Sequence, residues 1–360
     1  MPTIVSVGTA KLPYQLNQDT VKEYTKQLFG KAFRDIDRLM NIFDNGQIES
    51  RYFVKNLDWY KEKHRFSEKN NTYIESALQY GCEAIKNCLQ NPHFLQSPID
   101  YEEIEAIFYI STTGIATPSI EARLINKLPF SLHIKRIPIW GLGCAGGAAG
   151  LARAYEYCLA FPKAKVLVLA VEFCSLTFQP NDSSKSNLIG TSLFADGVAC
   201  ICVAGDEADD KQLKPHILAS QSTFMRHAED VMGWDICDDG FFVIFSKDIP
   251  SLISSWLKPN VEQFLRSHSL TMADIDYFIA HPGGKKVLEA YQKALGIDEK
   301  KTAVSFQILK QFGNMSSVTV YFVLEQFMKQ PVKEGEHGLL LALGPGFSSE
   351  LVLLRWGGKQ

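Results

Sequence analysis

Seven short runs of consecutive apolar, often β-branched residues constrain this chain more than any other feature. They are "TIVSVGTA" (3–10), "EAIFYIST" (105–112), "KVLVLAVE" (165–172), "GVACICVAG" (197–205), "YFIAH" (277–281), "GLLLALG" (338–344) and "ELVLLRW" (350–356). A strand with one wet face alternates apolar and polar residues. A strand that is apolar at consecutive positions is covered on both faces. Helix-like segments alternate with these runs, at 19–42, 71–90, 145–161, 249–267, 285–295 and 315–328. Gly296 stops the fifth of them. The pattern predicts an α/β fold, with helices packed on mostly parallel sheets.

No linker divides the 360 residues. The most polar stretch, "AGDEADDKQLKP" (204–215), falls between two strand runs and marks a seam between halves 1–210 and 211–360. Each half ends in a paired-strand signature, "GVACICVAG…HILASQS" and then "GLLLALGPGFSSELVLLRW", which hints at duplication of one α/β unit.

A formal net charge of -3 leaves no general basic field for nucleic acid. No run approaches the ~18 apolar residues of a membrane helix. The opening "MPTIVSVGTAKLPY" lacks a signal segment, so the expected location is the cytoplasm. The eight cysteines form no C-x-x-C pair and do not cluster with histidines at ligand spacing, so no metal site is expected. Seven of them read as small buried hydrophobes.

The eighth, Cys144, opens the helix in "PIWGLGCAGGAAGLARAYEYCLAFP". Glycine inside a helix costs about 1 kcal/mol relative to alanine. Gly146, Gly147 and Gly150 therefore imply close approach of another backbone or a substrate, and Gly141 and Gly143 a sharp strand-to-helix turn. A helix N-terminus concentrates unpaired N–H groups and positive potential. Both lower a thiol pKa and can hold an oxyanion on a thioester carbonyl. His281 ends a strand run in "YFIAHPGGKK", where ligand crevices of parallel sheets lie. Asn314, in "QFGNMSSVTVYFVLEQF", sits at a helix start, where it can cap and also present its amide to a ligand.

Together "GLGCAGG", "AHPGG" and "FGNMSS" resemble the Cys–His–Asn segments of the chalcone synthase-like, type III polyketide synthases. "SLFADGVA" (192–199) and "LGPGFSSE" (343–350) extend the resemblance, which runs from about residue 3 to 356. It implies a thiolase-like fold, αβαβα layers from two related halves, and a homodimer. It also implies acyl-CoA and malonyl-CoA as substrates, with no further cofactor. Cys144 is then the acyl-accepting nucleophile. His281 keeps it as thiolate, and His281 and Asn314 hold the thioester carbonyl during decarboxylation. Phe194 matches the phenylalanine at the junction of tunnel and cavity, and Gly346 and Ser316 join the substrate-binding residues.

Several positions depart from the plant pattern. Val243 replaces the second gatekeeper phenylalanine, and Thr117 replaces a methionine that crosses the dimer interface. Cys174 replaces one cavity threonine, while Thr177 matches the other. Trp234 sits near a cavity glycine. Smaller residues at 117 and 243 imply room for a flexible aliphatic starter, as in bacterial members that make alkylpyrones. Arg38 matches one CoA-contacting residue, but Asn41 and Asn45 stand where two others would be. Lys285 and Lys286 are candidates for the CoA phosphates, or else solvated helix lysines. A single-condensation ketoacyl synthase and a non-catalytic acyl-CoA-binding relative are the alternatives. A thiolase needs a second cysteine in the C-terminal half, and none follows Cys237.

Overall fold

In the computed structural model the seven apolar runs and two further strands form one nine-stranded sheet. The structure describes residues 1–30, 33–208, 213–246 and 248–357. In chain order the strands are β1 (Thr3–Thr9), β2 (Ile104–Ser111), β3 (Lys135–Trp140), β4 (Lys165–Phe173) and β5 (Asp196–Ala204). They continue with β6 (Lys214–Phe224), β7 (Tyr277–Ala280), β8 (His337–Gly344) and β9 (Ser348–Gly357). Their order across the sheet is β7-β8-β9-β6-β1-β5-β4-β2-β3.

The pairing senses repeat. From β1 outward through β5 and β4 to β2 they run antiparallel, antiparallel, parallel. From β6 outward through β9 and β8 to β7 they run in the same sequence. The two series meet at the antiparallel contact of β1 with β6. Among the described residues of the sheet, parallel pairing is confined to β2 with β3, β2 with β4, and β7 with β8, so the sheet is mixed and not mostly parallel. Consecutive apolar residues report cover on both faces, and here helices cover the antiparallel strands too. Of the two expected strand pairs, β8 and β9 do form a hairpin. Strands β5 and β6 do not, because β1 lies between them. The expected boundary at 210/211 lies outside the described residues.

The helices are α1 (Gln18–Phe29), α2 (Phe66–Leu89), α3 (Gly146–Ala160), α4 (Lys185–Leu193), α5 (Lys258–Ser267), α6 (Lys285–Leu295), α7 (Glu299–Phe312) and α8 (Thr319–Met328). They cover the sheet in three layers, and α1 and α4 pack together in a separate apolar cluster. Alternate residues of one strand show the layering. Val166, Val168 and Ala170 of β4 share a core with α3 and α8, as do Leu340 and Ala342 of β8. Leu167, Leu169 and Val171 face α2 on the opposite side. Leu339, Leu341 and Leu343 face α5 and α6. This is the αβαβα stack of a thiolase-like fold, with α3 and α8 in the middle layer.

Three helix expectations are modified. The segment 19–42 divides into α1 and a short helix Ile36–Asn45, with residues 31 and 32 outside the described set. The segment 249–267 contains a π-helical turn, Ile253–Leu257, ahead of Pro259, where a ring without an N–H cannot continue the regular ladder. The segment 315–328 begins as a 3-10 turn, Ser316–Val318.

The glycines of α3 have a packing reason. A β-carbon on Gly147 would lie 2.2 Å from the Ser317 carbonyl oxygen, and one on Gly150 would lie 2.3 Å from Ile110. The two middle-layer helices thus approach backbone to backbone, and Tyr321 Oη donates to the Gly147 carbonyl at 2.8 Å.

Candidate active site

Cys144 lies in the 3-10 turn Gly143–Ala145, between β3 and α3. The turn needs Gly141 at φ 92° and Gly143 at φ 48°, where a side chain would be strained. The loop from Gly344 to Gly346 packs against it: a β-carbon on Gly344 would lie 2.5 Å from the Leu142 carbonyl oxygen. Gly346 sits in that loop at φ 132°. Cys144 itself is buried, at 6% exposed.

Asn314 follows Gly313 at the end of α7 and is held by backbone bonds to the turn after α4. Its N–H donates to the Leu193 carbonyl at 2.9 Å, and its carbonyl accepts from the Ala195 N–H at 2.8 Å. Its side chain bonds three ways. Oδ1 accepts from the Ser316 N–H at 2.8 Å and faces Cys144 Sγ at 4.0 Å. Nδ2 donates to the Gly283 carbonyl at 3.2 Å. Gly283 is two residues beyond His281, so this bond ties the asparagine to the histidine loop. The asparagine both caps and faces the thiol, and Ser316 beside it takes φ 49°.

His281 follows β7 and donates its backbone N–H to the Leu341 carbonyl at 2.8 Å. Its imidazole is 2% exposed, and neither ring nitrogen has a hydrogen-bond partner among the described residues. A buried neutral ring with two open positions can donate from one nitrogen and accept at the other. Burial pushes it down to about 3, so it is neutral near pH 7.

The electrostatics reverse one expectation. Burial pushes the Cys144 thiol up to about 12, despite lowering by hydrogen bonds involving Ser316 and Asn314. The carboxyl of Glu172 adds to the rise. Both shifts favour the neutral forms, a thiol and an uncharged imidazole. Desolvation of the buried thiol opposes the lowering expected of a helix N-terminus.

Next to Asn314, on the side of Phe194, runs a narrow apolar crevice with about 50 Å³ of solvent-sized space. Phe194, Val243, Cys174 and Thr177 line it, with Tyr24 and Phe53 on the far wall. Phe194 is bridged through its backbone to Asn314. Trp234 lies outside the lining, its ring 5.8 Å from that of Phe194. Trp234 and Val243 face each other across a two-stranded hairpin, Met232–Cys237 and Gly240–Phe245.

Two family models cover nearly the whole chain. The chalcone and stilbene synthase N-terminal domain matches residues 1–207, and the C-terminal domain of the same family matches 216–356. The chain belongs to the chalcone and stilbene synthase family. It is 54% identical, over 99% of both chains, to a Bacillus subtilis (strain 168) protein named "Putative chalcone synthase". It is 33% identical to the 1,3,6,8-tetrahydroxynaphthalene synthase of Streptomyces peucetius subsp. caesius, over 98% of this chain and 93% of the relative. The crystal structure of 1,3,6,8-tetrahydroxynaphthalene synthase from Streptomyces coelicolor A3(2), a bacterial type III polyketide synthase, superposes with a TM-score of 0.91 at 27% identity. That match covers 99% of this chain and all of the other. The protein is a type III polyketide synthase, an acyltransferase of coenzyme A thioesters.

The remaining expected residues of this synthase are dispersed. Thr117 is exposed, on a loop flanked by the exposed Ile115 and Trp140. Arg38 points into solvent near Asp35. Lys285 pairs at 3.7 Å with Glu289 at the start of α6, and Lys286 is exposed. The wide surface cleft beside Lys285 also carries Asp44, Glu49, Glu289 and Glu299, a mixed field for phosphate. Among the described residues, no helix is long and apolar enough to cross a membrane.

Sequence reasoning missed Glu172, the single carboxylate in "KVLVLAVE". It is fully buried and accepts from the Thr112 N–H (3.0 Å), Thr112 Oγ1 (2.9 Å), Thr113 Oγ1 (3.0 Å) and Ser317 Oγ (2.6 Å). Burial nevertheless pushes it up to about 7. A lone acid ending an apolar run was the available signal.

Proposed function

We propose that this type III polyketide synthase loads a medium- or long-chain fatty acyl group from its CoA thioester onto Cys144, extends it with malonyl-CoA, and releases alkylpyrones. The observation that carries the reading is the apolar crevice beside Phe194, with valine and not phenylalanine at position 243. A relative of the same fold is a tetrahydroxynaphthalene synthase, so fold alone does not select the product; an apolar crevice with valine at position 243 favours an aliphatic starter.

In the proposed chemistry, His281 takes the thiol proton as Cys144 Sγ attacks the acyl-CoA carbonyl. The proton then goes to the departing CoA thiolate. Malonyl-CoA next loses CO₂ and leaves negative charge on its thioester oxygen. His281 and Asn314 Nδ2 stabilise that oxygen as donors. The enolate carbon attacks the acyl thioester, Cys144 leaves as thiolate, and a β-ketoacyl-CoA forms. Return of this product to Cys144 repeats the cycle. Covalent holding makes each condensation effectively intramolecular. An enol oxygen attacking the thioester carbonyl finally closes the lactone and frees the thiol.

We take the working unit to be a homodimer, with the exposed Thr117 loop at the interface. Sedimentation equilibrium tests this part separately. The reaction is tested with radiolabelled malonyl-CoA and a panel of fatty acyl-CoA starters. Labelled alkylpyrones support the reading. A single β-ketoacyl product, or aromatic products from malonyl-CoA alone, would overturn it.

A further inference from the structure

The hairpin that carries Val243 and Trp234 stands apart from the nine-stranded sheet. A lone two-stranded hairpin is marginal in water, so its position depends on what seats it. The seat is a buried polar clamp. Gln179, 4% exposed, donates through Nε2 to the carbonyls of Asp239 (3.3 Å) and Phe241 (3.1 Å), at the turn and start of the second strand. Its Oε1 accepts from Lys69 Nζ at 3.2 Å. Lys69, on α2 and 7% exposed, also donates to the Phe178 carbonyl at 2.9 Å. The Gln179 carbonyl accepts from Asn187 Nδ2 at 2.8 Å, which ties the clamp to α4. One glutamine thus joins α2, α4, the hairpin and the crevice-lining residues Thr177 and Phe178 that precede it.

The fit at the turn is tight. Gly240 takes φ 117°, and a β-carbon there would meet Phe66 at 3.2 Å and Gln179 Nε2 at 3.4 Å. Phe66 also packs edge-on against Phe241 at 5.3 Å. The lysine is costly where it sits, because burial pushes its ammonium down to about 8 even with Asp239 nearby. An apolar side chain would fill the same space more cheaply.

We infer that Lys69 and Gln179 are positioning residues that set starter chain-length selectivity, by fixing the hairpin's height over the acyl crevice. Neither lines the crevice; both act through Val243 and Trp234. The inference rests on the crevice being the starter site.

The test compares kcat/KM across saturated acyl-CoA starters from medium to long chain, with malonyl-CoA decarboxylation measured alongside. Gln179→Leu and Lys69→Met are expected to flatten the chain-length profile by about tenfold, the scale of a lost buried hydrogen bond, while decarboxylation stays near wild type. Lys69→Arg, which keeps a charged donor, is expected to hold the wild-type profile. Gln179→Glu keeps the Lys69 contact but loses the donors to the hairpin, and serves if the leucine variant does not fold. Val243→Phe is the control. If it truncates the profile while the clamp variants only scale all starters equally, the positioning role is overturned. If Val243→Phe leaves the profile unchanged, the crevice reading itself is overturned.

Discussion

Replacing Val243 by phenylalanine should shorten the starter the enzyme accepts, and the structure sets the scale. A methyl group placed on Gly190 would lie 3.3 Å from Val243 Cγ1 and 3.3 Å from a ring carbon of Phe194. Those three residues are already in contact distance across the crevice. A larger side chain at 243 therefore has to project along the crevice, into the space an acyl chain would use. Each methylene kept out of an apolar site costs about 0.8 kcal/mol, roughly fourfold in kcat/KM. A phenyl ring that displaces roughly three methylenes costs about 2.4 kcal/mol, or about 60-fold, for the longest starters. Starters too short to reach the ring should be unaffected. The assay is initial-rate kinetics over a homologous series of acyl-CoAs, with products identified by mass spectrometry. A break in the profile at one chain length is the expected result. An equal loss for every starter would show that position 243 does not bound the chain.

Three further outcomes follow from the geometry. The Cys144 thiol at about 12 is almost wholly protonated near neutrality, so iodoacetamide inactivation of the free enzyme should rise about tenfold per pH unit from about pH 7 to about pH 10; a plateau starting near neutral pH would show a preformed thiolate. Gly147→Ala would press a methyl to 2.2 Å from the Ser317 carbonyl oxygen and shift the turn beside Asn314. About 1–3 kcal/mol of stability and about 100-fold in decarboxylation rate should be lost, and a wild-type rate would contradict the packing argument. Glu172 is raised from 4.5 to about 7, so its contribution to stability is fully present below about pH 4.5 and is lost as pH rises through about 7. The displacement corresponds to about 3 kcal/mol. Glu172→Gln should flatten the pH dependence of unfolding in that window, and an unchanged slope by denaturant titration would refute the assignment.

The catalytic candidates were legible because each sits where a strand or helix ends beside glycine. Cys144 follows Gly141 and Gly143, His281 precedes Gly283, and Asn314 follows Gly313. The strands were legible because burial on both faces writes itself as consecutive apolar residues. Strand direction was not, since β1, β5 and β4 read like strands of a parallel sheet yet pair antiparallel. The hairpin Met232–Cys237 with Gly240–Phe245 was missed because exposed acids such as Asp235 and Asp238 interrupt its apolar residues. The thiol's elevated pKa was not legible at all. It depends on burial of the thiol, and the loop from Gly344 to Gly346 that packs on Leu142, Gly143 and Ala145 comes from roughly two hundred residues along the chain.

Covalent acylation of Cys144 is tested most directly by intact-protein mass spectrometry after incubation with a long-chain acyl-CoA and no malonyl-CoA. One acyl group per chain, mapped by peptide digestion to Cys144 and absent from Cys144→Ala, is the predicted result. Acylation at another cysteine, or a folded enzyme that stays unmodified yet makes product when malonyl-CoA is added, would contradict it.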